Sequence, residues 1–429
     1  LVDKSLIRVF MQPSASGEQA PRYYIHNLLR VYLLEKLAER ADGHSAQRKH
    51  ATAFATLANE WDALLYAGDS GPALLQLNDE HANFRTILQW TIGEGNDTLL
   101  GLELAGALGR FWHLAHHWRE GRQWLTTAIR QAERTQAGAL PSTSVQPKLA
   151  RALIHLGTLQ HALEENQTAF ATLQQGLALW QAVQQVPAPE PSHAEQWSIF
   201  VTHNVAWSNF QLGVAAGALG EFATANDYFG ASLAIYRETG DRWAVATVLN
   251  QMSANASTQG DYATAERLLA ESLPILREIQ KSGGGVAVSL NLLGRIILEQ
   301  GNAARAMPLF EEALAIAQHQ DNRQGQAWAL LNLGLAYLAT NALPAATEAF
   351  EGSRQLNETM KRQGGIMAAL EGLAATAAAA GSFTEANRLL TKAEGLRQAS
   401  GQLLTAYELA IHERTVAAVQ GQKVARDLA

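Results

Sequence analysis

The chain has 429 residues, of which 47% are hydrophobic, a formal net charge of −7 and no cysteine. Because phosphate binding needs a basic surface, this charge argues against a nucleic acid as a direct partner. The lack of cysteine in the sequence excludes disulfides, thiol catalysis and thiolate metal sites. We find neither a signal peptide nor an apolar run of about 18 residues, and therefore expect a cytoplasmic protein that makes no membrane contact.

Residues 1–45 form the first predicted segment. Residues 6–10 and 23–25 are β-branched or aromatic enough to predict two strands joined by a turn, and apolar positions at helical spacing predict a helix over 27–40. The chain begins at Leu1 without a methionine, so we expect it to belong to a longer protein.

Residues 46–98 are predicted to be a helical connector. One amphipathic helix is expected from His50 to Leu65 and a second between Pro72 and Gln89. The repeat array is then assigned to residues 99–429, with about seven repeats and a final helix.

The array is identified by evenly spaced turns. Turns are expected at Gly220, Gly260, Gly301, Asn341 and Gly381, at intervals close to 40 residues. A small residue precedes each turn by seven positions, and these residues are Gly213, Ser253, Gly294, Gly334 and Ala374. A large apolar residue follows each turn by nine positions, and these residues are Phe229, Leu269, Phe310, Phe350 and Leu390.

Each period predicts a helical hairpin, with a first helix before the turn and a second helix after it. The small residue allows the two helices to approach closely, and the large apolar residue fills the space between hairpins. Two less regular repeats precede these, with turns at His116 and Glu164. Continuing the period predicts a further turn at Gly421, and Pro274 and Pro308 are expected to kink second helices without ending them.

The spacing of small, alanine and aromatic positions resembles the tetratricopeptide repeat, although each unit is longer than usual. The resemblance implies an all-α fold, a helical-hairpin solenoid that forms a right-handed superhelix, with a small winged-helix remnant at its N-terminus.

The N-terminal sequence resembles the end of the winged-helix domain of bacterial STAND regulators, the signal-transduction ATPases related to NB-ARC proteins. In that family a Met-His-Asp motif places its histidine on the β-phosphate of ADP. The matching residues are Ile25, His26 and Asn27, so the resemblance assigns ADP contact to His26 if a nucleotide-binding domain lies upstream. The alternative is a histidine that merely caps the start of a helix.

Repeats of this type bind partners in the groove lined by their first helices. The candidate groove residues are Arg110, His113, Arg151, His155, His161, Trp207, Gln211, Asn250, Asn291, Arg295, Asn332 and Glu371. We expect ligand contact from the three arginines above all. For the three asparagines, hydrogen bonding to neighbouring helices is an equal alternative.

No catalytic site is expected in this stretch. The sequence contains no Gly-x-x-x-x-Gly-Lys-[Ser/Thr] motif, so ATP or ADP is expected only in a longer parent protein. His113 and His117 have the spacing of metal ligands, but the aromatic residues around them favour a packed layer over a metal site.

Three functional interpretations remain open. In the first, the chain is the sensor of a STAND-type regulator and binds a protein, peptide or small effector to control an upstream switch. In the second, it is a free-standing repeat scaffold for protein–protein interaction. The third, an enzyme with a histidine metal site, is the least favoured.

Overall fold

The structure is a computed structural model, and it describes residues 7–13, 19–25, 27–65, 71–94, 96–135, 144–188, 192, 194–279, 284–400, 404 and 406–427. The described part is almost entirely helical, with one two-stranded sheet near the N-terminus. It divides into two compact units, residues 1–204 and 205–429, which are described separately. None of the described helices is both long and apolar enough to span a bilayer.

The first unit begins with a β-hairpin. Strand β1 (Ile7–Pro13) pairs antiparallel with β2 (Gln19–Ile25), with Ile7 opposite Ile25. The helices that follow are α1 (Asn27–Ala38), α2 (Gly43–Leu65), α3 (Gly71–Asp79), α4 (His81–Leu88), a π-helical segment (Gln89–Gly93), α5 (Thr98–Leu114), α6 (Trp118–Thr135), α7 (Gln146–Ala162) and α8 (Asn166–Gln184). Helices α5 and α6 form one hairpin, and α7 and α8 form the next.

Helix α9 (Ala194–Ala218) contains the boundary between the units. The second unit continues with α10 (Phe222–Thr239), α11 (Arg242–Thr258), α12 (Tyr262–Ile279), α13 (Gly284–Glu299), α14 (Ala303–His319), α15 (Arg323–Ala339), α16 (Leu343–Met360), α17 (Gln363–Ala379), α18 (Phe383–Ser400) and α19 (Ala406–Asp427). Its helices pair in sequence, and α19 follows the last hairpin.

The turns inside the hairpins share one backbone geometry. All seven predicted turn residues have positive φ, from 59° at Asn341 to 86° at Gly301, and the two turns of the first unit fall at His116 and Glu164 as expected. At Gly220 the next amide, that of Glu221, donates to the carbonyl of Ala216 at 2.9 Å. This bond defines a Schellman ending, which requires a left-handed residue and explains why glycine recurs at the predicted period.

The packing inside the hairpins follows the predicted pattern of small and aromatic residues. Phe229 lies against Gly213, and Phe310 lies against Gly294. Phe350 lies against Gly334 of its own repeat and also against Gly372 of the next repeat. At Phe350 the ring therefore fills the space between successive hairpins, as expected.

The predicted turn at Gly421 is wrong, because α19 runs through this residue to Asp427. The single helix expected between Pro72 and Gln89 is divided into α3 and α4, with a turn at Glu80. Helices α12 and α14 continue through Pro274 and Pro308, as expected for interior prolines that do not end a helix.

The glycine–aromatic contact gives a test of the packing. A Cβ added at Gly334 would lie 2.6 Å from Phe350, whereas one added at the exposed helical Gly230 would meet nothing within 4 Å. We expect Gly334→Ala to lower the free energy of unfolding by about 1–3 kcal/mol because the ring must move. Gly230→Ala should raise it by up to about 1 kcal/mol, since alanine favours the helix. Equal effects of the two changes in urea unfolding would contradict this packing.

Candidate functional site: the first-helix face

The predicted groove residues lie on the first helices of the hairpins, and we call the side of the repeats that they form the first-helix face. In the first unit its helices are α5 and α7. In the second unit they are the C-terminal part of α9 and helices α11, α13, α15 and α17. Many of the predicted side chains on this face are buried and take part in contacts within the protein.

Arg151 of α7 binds the connector helix α2. Its guanidinium donates to Asn59 Oδ1 and to Asp62 Oδ2, each at 2.6 Å. Asn59 also donates to Glu103 of α5, which in turn pairs with Lys148 of α7. A polar network therefore joins α2 to the first helices of both hairpins in this unit.

Asp62 is the buried carboxylate of this network, with 5% of its surface exposed. Burial raises the pKa of Asp62, and the attraction of Arg151 and Arg110 only partly opposes that effect. The second oxygen, Oδ1, has no hydrogen-bond partner among the described residues. The two arginines therefore favour the ionised form of this carboxylate, while its burial opposes that form.

Arg110 also contacts α2. Its Nε donates to the backbone carbonyl of Leu65, the last residue of α2, at 3.0 Å. Arg110 and Arg151 were both expected to contact a ligand, and the structure places both against α2. Whether either residue also contacts a partner stays a prediction.

His155 lies near these arginines and is 4% exposed. Burial lowers its pKa well below the usual 6.5, and the positive charges of Arg151 and Arg110 and the nearby His113 lower it further. The imidazole is therefore neutral near pH 7. His113 contributes its backbone carbonyl to the indole of Trp118, and His161 hydrogen-bonds Asn166 at 2.7 Å.

A second histidine cluster, which the sequence did not reveal, joins α4 to α6. The rings of His81 and His117 lie 4.6 Å apart, and His81 Nε2 lies 3.2 Å from Glu120, which also pairs with Arg85. Burial lowers the pKa of both histidines. Within the described ranges, no group of three histidines and carboxylates is placed to hold a metal ion.

In the second unit the asparagines bridge neighbouring helices. Asn250 accepts hydrogen bonds from Ser272 at 2.7 Å and from Ser289 at 3.0 Å. Asn332 donates to Asn291 at 3.2 Å, and Asn291 donates to Ala287 one turn earlier on its own helix. These contacts correspond to the inter-helix alternative for the asparagines, while a contact with a partner remains untested.

Arg295 of α13 contacts both its own helix and the C-terminal helix α19. It pairs with Glu299 at 2.6 Å and with Glu408 of α19 at 3.2 Å, and it also donates to Asn332 at 3.4 Å. The ring of Tyr407 lies 5.3 Å from the guanidinium carbon, a cation–π distance. Arg295 thus holds the start of α19 on the first-helix face.

Glu371 of α17 contacts α19 one turn further along. His412 Nδ1 lies 2.9 Å from Glu371, which also pairs with Arg397 of α18. Helix α19 therefore makes polar side-chain contacts with α13 and α17, which are two repeats apart.

A cavity of about 770 Å³ lies between α19 and the C-terminal ends of α13, α15 and α17. Leu298, Leu335 and Leu338 contribute apolar surface from the repeats, and Ile411 and Thr415 contribute from α19. Its size suits a small effector or the side chains of a bound peptide.

The remaining predicted residues lie at the other end of the second unit or outside the described part. Trp207 of α9 stacks on Phe210 with ring centres 5.2 Å apart, and Gln211 is buried beside them. His26 lies outside the described residues, so its assigned contact with ADP remains a prediction.

Comparison with known proteins shows the repeat type. Residues 203–278 and 285–359 match the tetratricopeptide repeat family. No match was found among curated proteins. The described chain is therefore a tetratricopeptide-like helical repeat solenoid, and repeats of this kind serve as protein-interaction modules.

Solved structures share this fold at low sequence identity. A Rap protein complexed with competence and sporulation factor is 12% identical over 82% of this chain and 99% of its own, with a TM-score of 0.57. The Rap conjugation gene regulator of plasmid pLS20, complexed with the Phr* peptide, is 11% identical over 82% and 96%, with a TM-score of 0.55.

A third similar structure is a STAND protein with a tetratricopeptide repeat sensor from Pyrococcus horikoshii. It is 14% identical over 98% of this chain, with a TM-score of 0.54, and this chain spans 54% of its length. At such identities these three structures show similarity of fold alone.

The Arg151–Asp62 pair gives a stability prediction. We expect Arg151→Met to cost about 3–5 kcal/mol of unfolding free energy, because the buried Asp62 would lose the arginine that hydrogen-bonds it. Adding Asp62→Leu should recover most of that loss, since an apolar pair needs no counter-charge. The measurement is urea unfolding of both variants. If the double variant is no more stable than Arg151→Met alone, the loss of stability is not due to the unpaired carboxylate of Asp62.

His155 gives a prediction of pH dependence. The pKa of His155 in the folded chain lies below 6.5. Between that pKa and pH 6.5, the imidazole therefore takes up a proton only when the chain unfolds. The contribution of His155 to the free energy of unfolding should be complete above pH 6.5. It should decline as the pH falls towards the folded-state pKa of this residue. His155→Gln should reduce this decline in unfolding measurements, whereas His319→Gln, at an exposed site, should not. The same pH profile in wild type and His155→Gln would refute the assignment.

Proposed function

We propose that the chain is the sensor module of a STAND-type regulatory ATPase. A protein or peptide segment, or a small effector, binds the first-helix face, and binding controls a nucleotide-binding switch that precedes this chain. In this proposal the chain is not itself an enzyme. It works in the cytoplasm, and ATP or ADP is held by the upstream domain, with His26 contacting the ADP β-phosphate.

One observation carries the binding part of the proposal. In each unit, an arginine of the first-helix face pairs with a carboxylate on a helix outside the repeats. Arg151 pairs with Asp62 of α2, and Arg295 pairs with Glu408 of α19. A surface that seats helices of its own chain by ion pairs and apolar contacts has the chemistry needed to seat a helix of a partner.

The nature of the partner is supported by the similar structures. Two of them are Rap proteins described in complex with Phr* peptide and with competence and sporulation factor. A peptide or a protein segment is therefore our first choice of effector for this chain, ahead of a small molecule.

The STAND assignment is supported by the order of the segments. A β-hairpin and a helix precede a helical connector and then the repeats, which is the order expected at the junction of a winged-helix domain with a repeat sensor. The alignment with the Pyrococcus horikoshii protein extends over 98% of this chain and so includes that junction.

A free-standing scaffold is the second candidate. The match to the tetratricopeptide repeat family favours protein binding but says nothing of a switch. The sequence given contains no phosphate-binding loop of its own. The two candidates therefore differ in what precedes residue 1.

The deciding measurement is the intact mass of the native protein purified from its source. We expect a product longer by at least one further domain, roughly 150 residues or more, with a phosphate-binding loop and bound ADP. The ADP should be detected by releasing nucleotide from the denatured protein. A native product that starts at or near Leu1 would refute the STAND assignment and leave the scaffold.

A further inference from the structure

We infer that the first-helix face of α13, α15 and α17 is a docking surface for an amphipathic helix of a partner protein, and that α19 is the helix of this chain that the partner displaces. The inference rests on the proposed binding face and adds the class of partner and the means of regulation.

Helix α19 presents a pattern suited to reversible docking. Tyr407 and Glu408, then Ile411 and His412, and then Thr415 contact or line the face at intervals of three or four residues. The residues between them, such as Leu409 and Glu413, are exposed. A single stripe of the helix therefore makes the contacts, as in helix-in-groove recognition.

The charges of the face remain paired when α19 is absent. Arg295 keeps Glu299, which lies on the same helix at 2.6 Å. Glu371 keeps Arg397 of α18. Because Glu408 and His412 are second partners, removing α19 leaves neither buried charge alone, and the large penalty for an isolated buried ion does not arise.

The connector helix α2 of the first unit differs from α19 in how its arginine is paired. Both acceptors that bind the guanidinium of Arg151, Asn59 and Asp62, lie on α2 itself. Removing α2 would take both of them away from Arg151. Helix α2 is therefore a fixed part of its unit, whereas α19 can be replaced by a helix of the partner.

The cavity beneath α19 gives a partner an advantage over it. The space of about 770 Å³ is lined mainly by apolar residues of the repeats. Tyr407, Ile411 and Arg414 of α19 also line it, but at Thr415 and Ala418 the helix has only small side chains. A helix with larger apolar residues at these positions would bury more apolar surface.

These contacts define the partner by its sequence pattern. It is an amphipathic helix with an acidic residue for Arg295 and an aromatic residue just before it for the guanidinium face. A histidine or another basic residue follows four positions after the acid, for Glu371. Two larger apolar residues follow, at the places of Thr415 and Ala418, and fill the cavity.

The test uses the full chain and two labelled peptides. The first peptide has the sequence of residues 404–427, and the second carries Thr415→Leu and Ala418→Leu. The chain variants are Glu408→Arg, which loses the pair with Arg295, and Glu413→Arg, which makes the same charge change on the exposed side of α19. Fluorescence anisotropy measures peptide binding, and hydrogen exchange measures protection of the α19 amides.

We expect Glu408→Arg to release α19 and to bind the first peptide at least tenfold more tightly than wild type does, a change of about 1.4 kcal/mol. Glu413→Arg should behave as wild type. The second peptide should bind each chain more tightly than the first, because it fills the cavity.

Two outcomes would overturn the inference. In the first, the α19 amides stay protected in Glu408→Arg and in a second variant, Ile411→Glu, so that α19 is a fixed part of the core. In the second, α19 is released but neither peptide binds. Failure of the STAND assignment would be seen separately, in the native mass, and would leave these results unchanged.

Discussion

The contact of Phe350 with Gly334 and Gly372 is the packing arrangement on which the array depends. This ring fills the gap between the helices of its own hairpin and also touches the next hairpin, so one residue packs the two repeats against each other. The glycines are needed because a side chain there would occupy the place of the ring. Phe229 and Phe310 likewise lie against the glycine of their own hairpin, and the first helices α11, α13, α15 and α17 contact one another in succession, in a row.

That row explains why polar residues are buried on the first-helix face. Side chains of neighbouring helices in this row meet each other, so Asn332 reaches Asn291 and Ser289 reaches Asn250. Amides and hydroxyls can be satisfied in this way within the row, but an arginine needs a carboxylate. Arg295 obtains one from its own helix and another from α19, whereas Arg151 obtains its carboxylate from α2.

The sequence predicted what is periodic and missed what is not. The turns were found, even at His116 and Glu164, because a left-handed residue is required at a fixed place in each hairpin. The partners of the arginines could not be found, since Asp62 and Glu408 lie 89 and 113 residues away on helices outside the repeats. The contact of His81 with His117 was missed for the same reason. The failed turn at Gly421 shows that the period ends before α19.

The two arginines were singled out by position alone, and the structure gives them different roles. Arg151 binds a helix whose removal would take away both acceptors of its guanidinium, so that helix acts as part of the unit. Arg295 binds a helix whose removal leaves it paired, so the same kind of contact can be broken at lower cost. The proposed sensor role needs both properties, a rigid framework and one contact that a ligand can replace. The carboxylate that Arg295 keeps when α19 is absent is Glu299, one helical turn after it on the same helix.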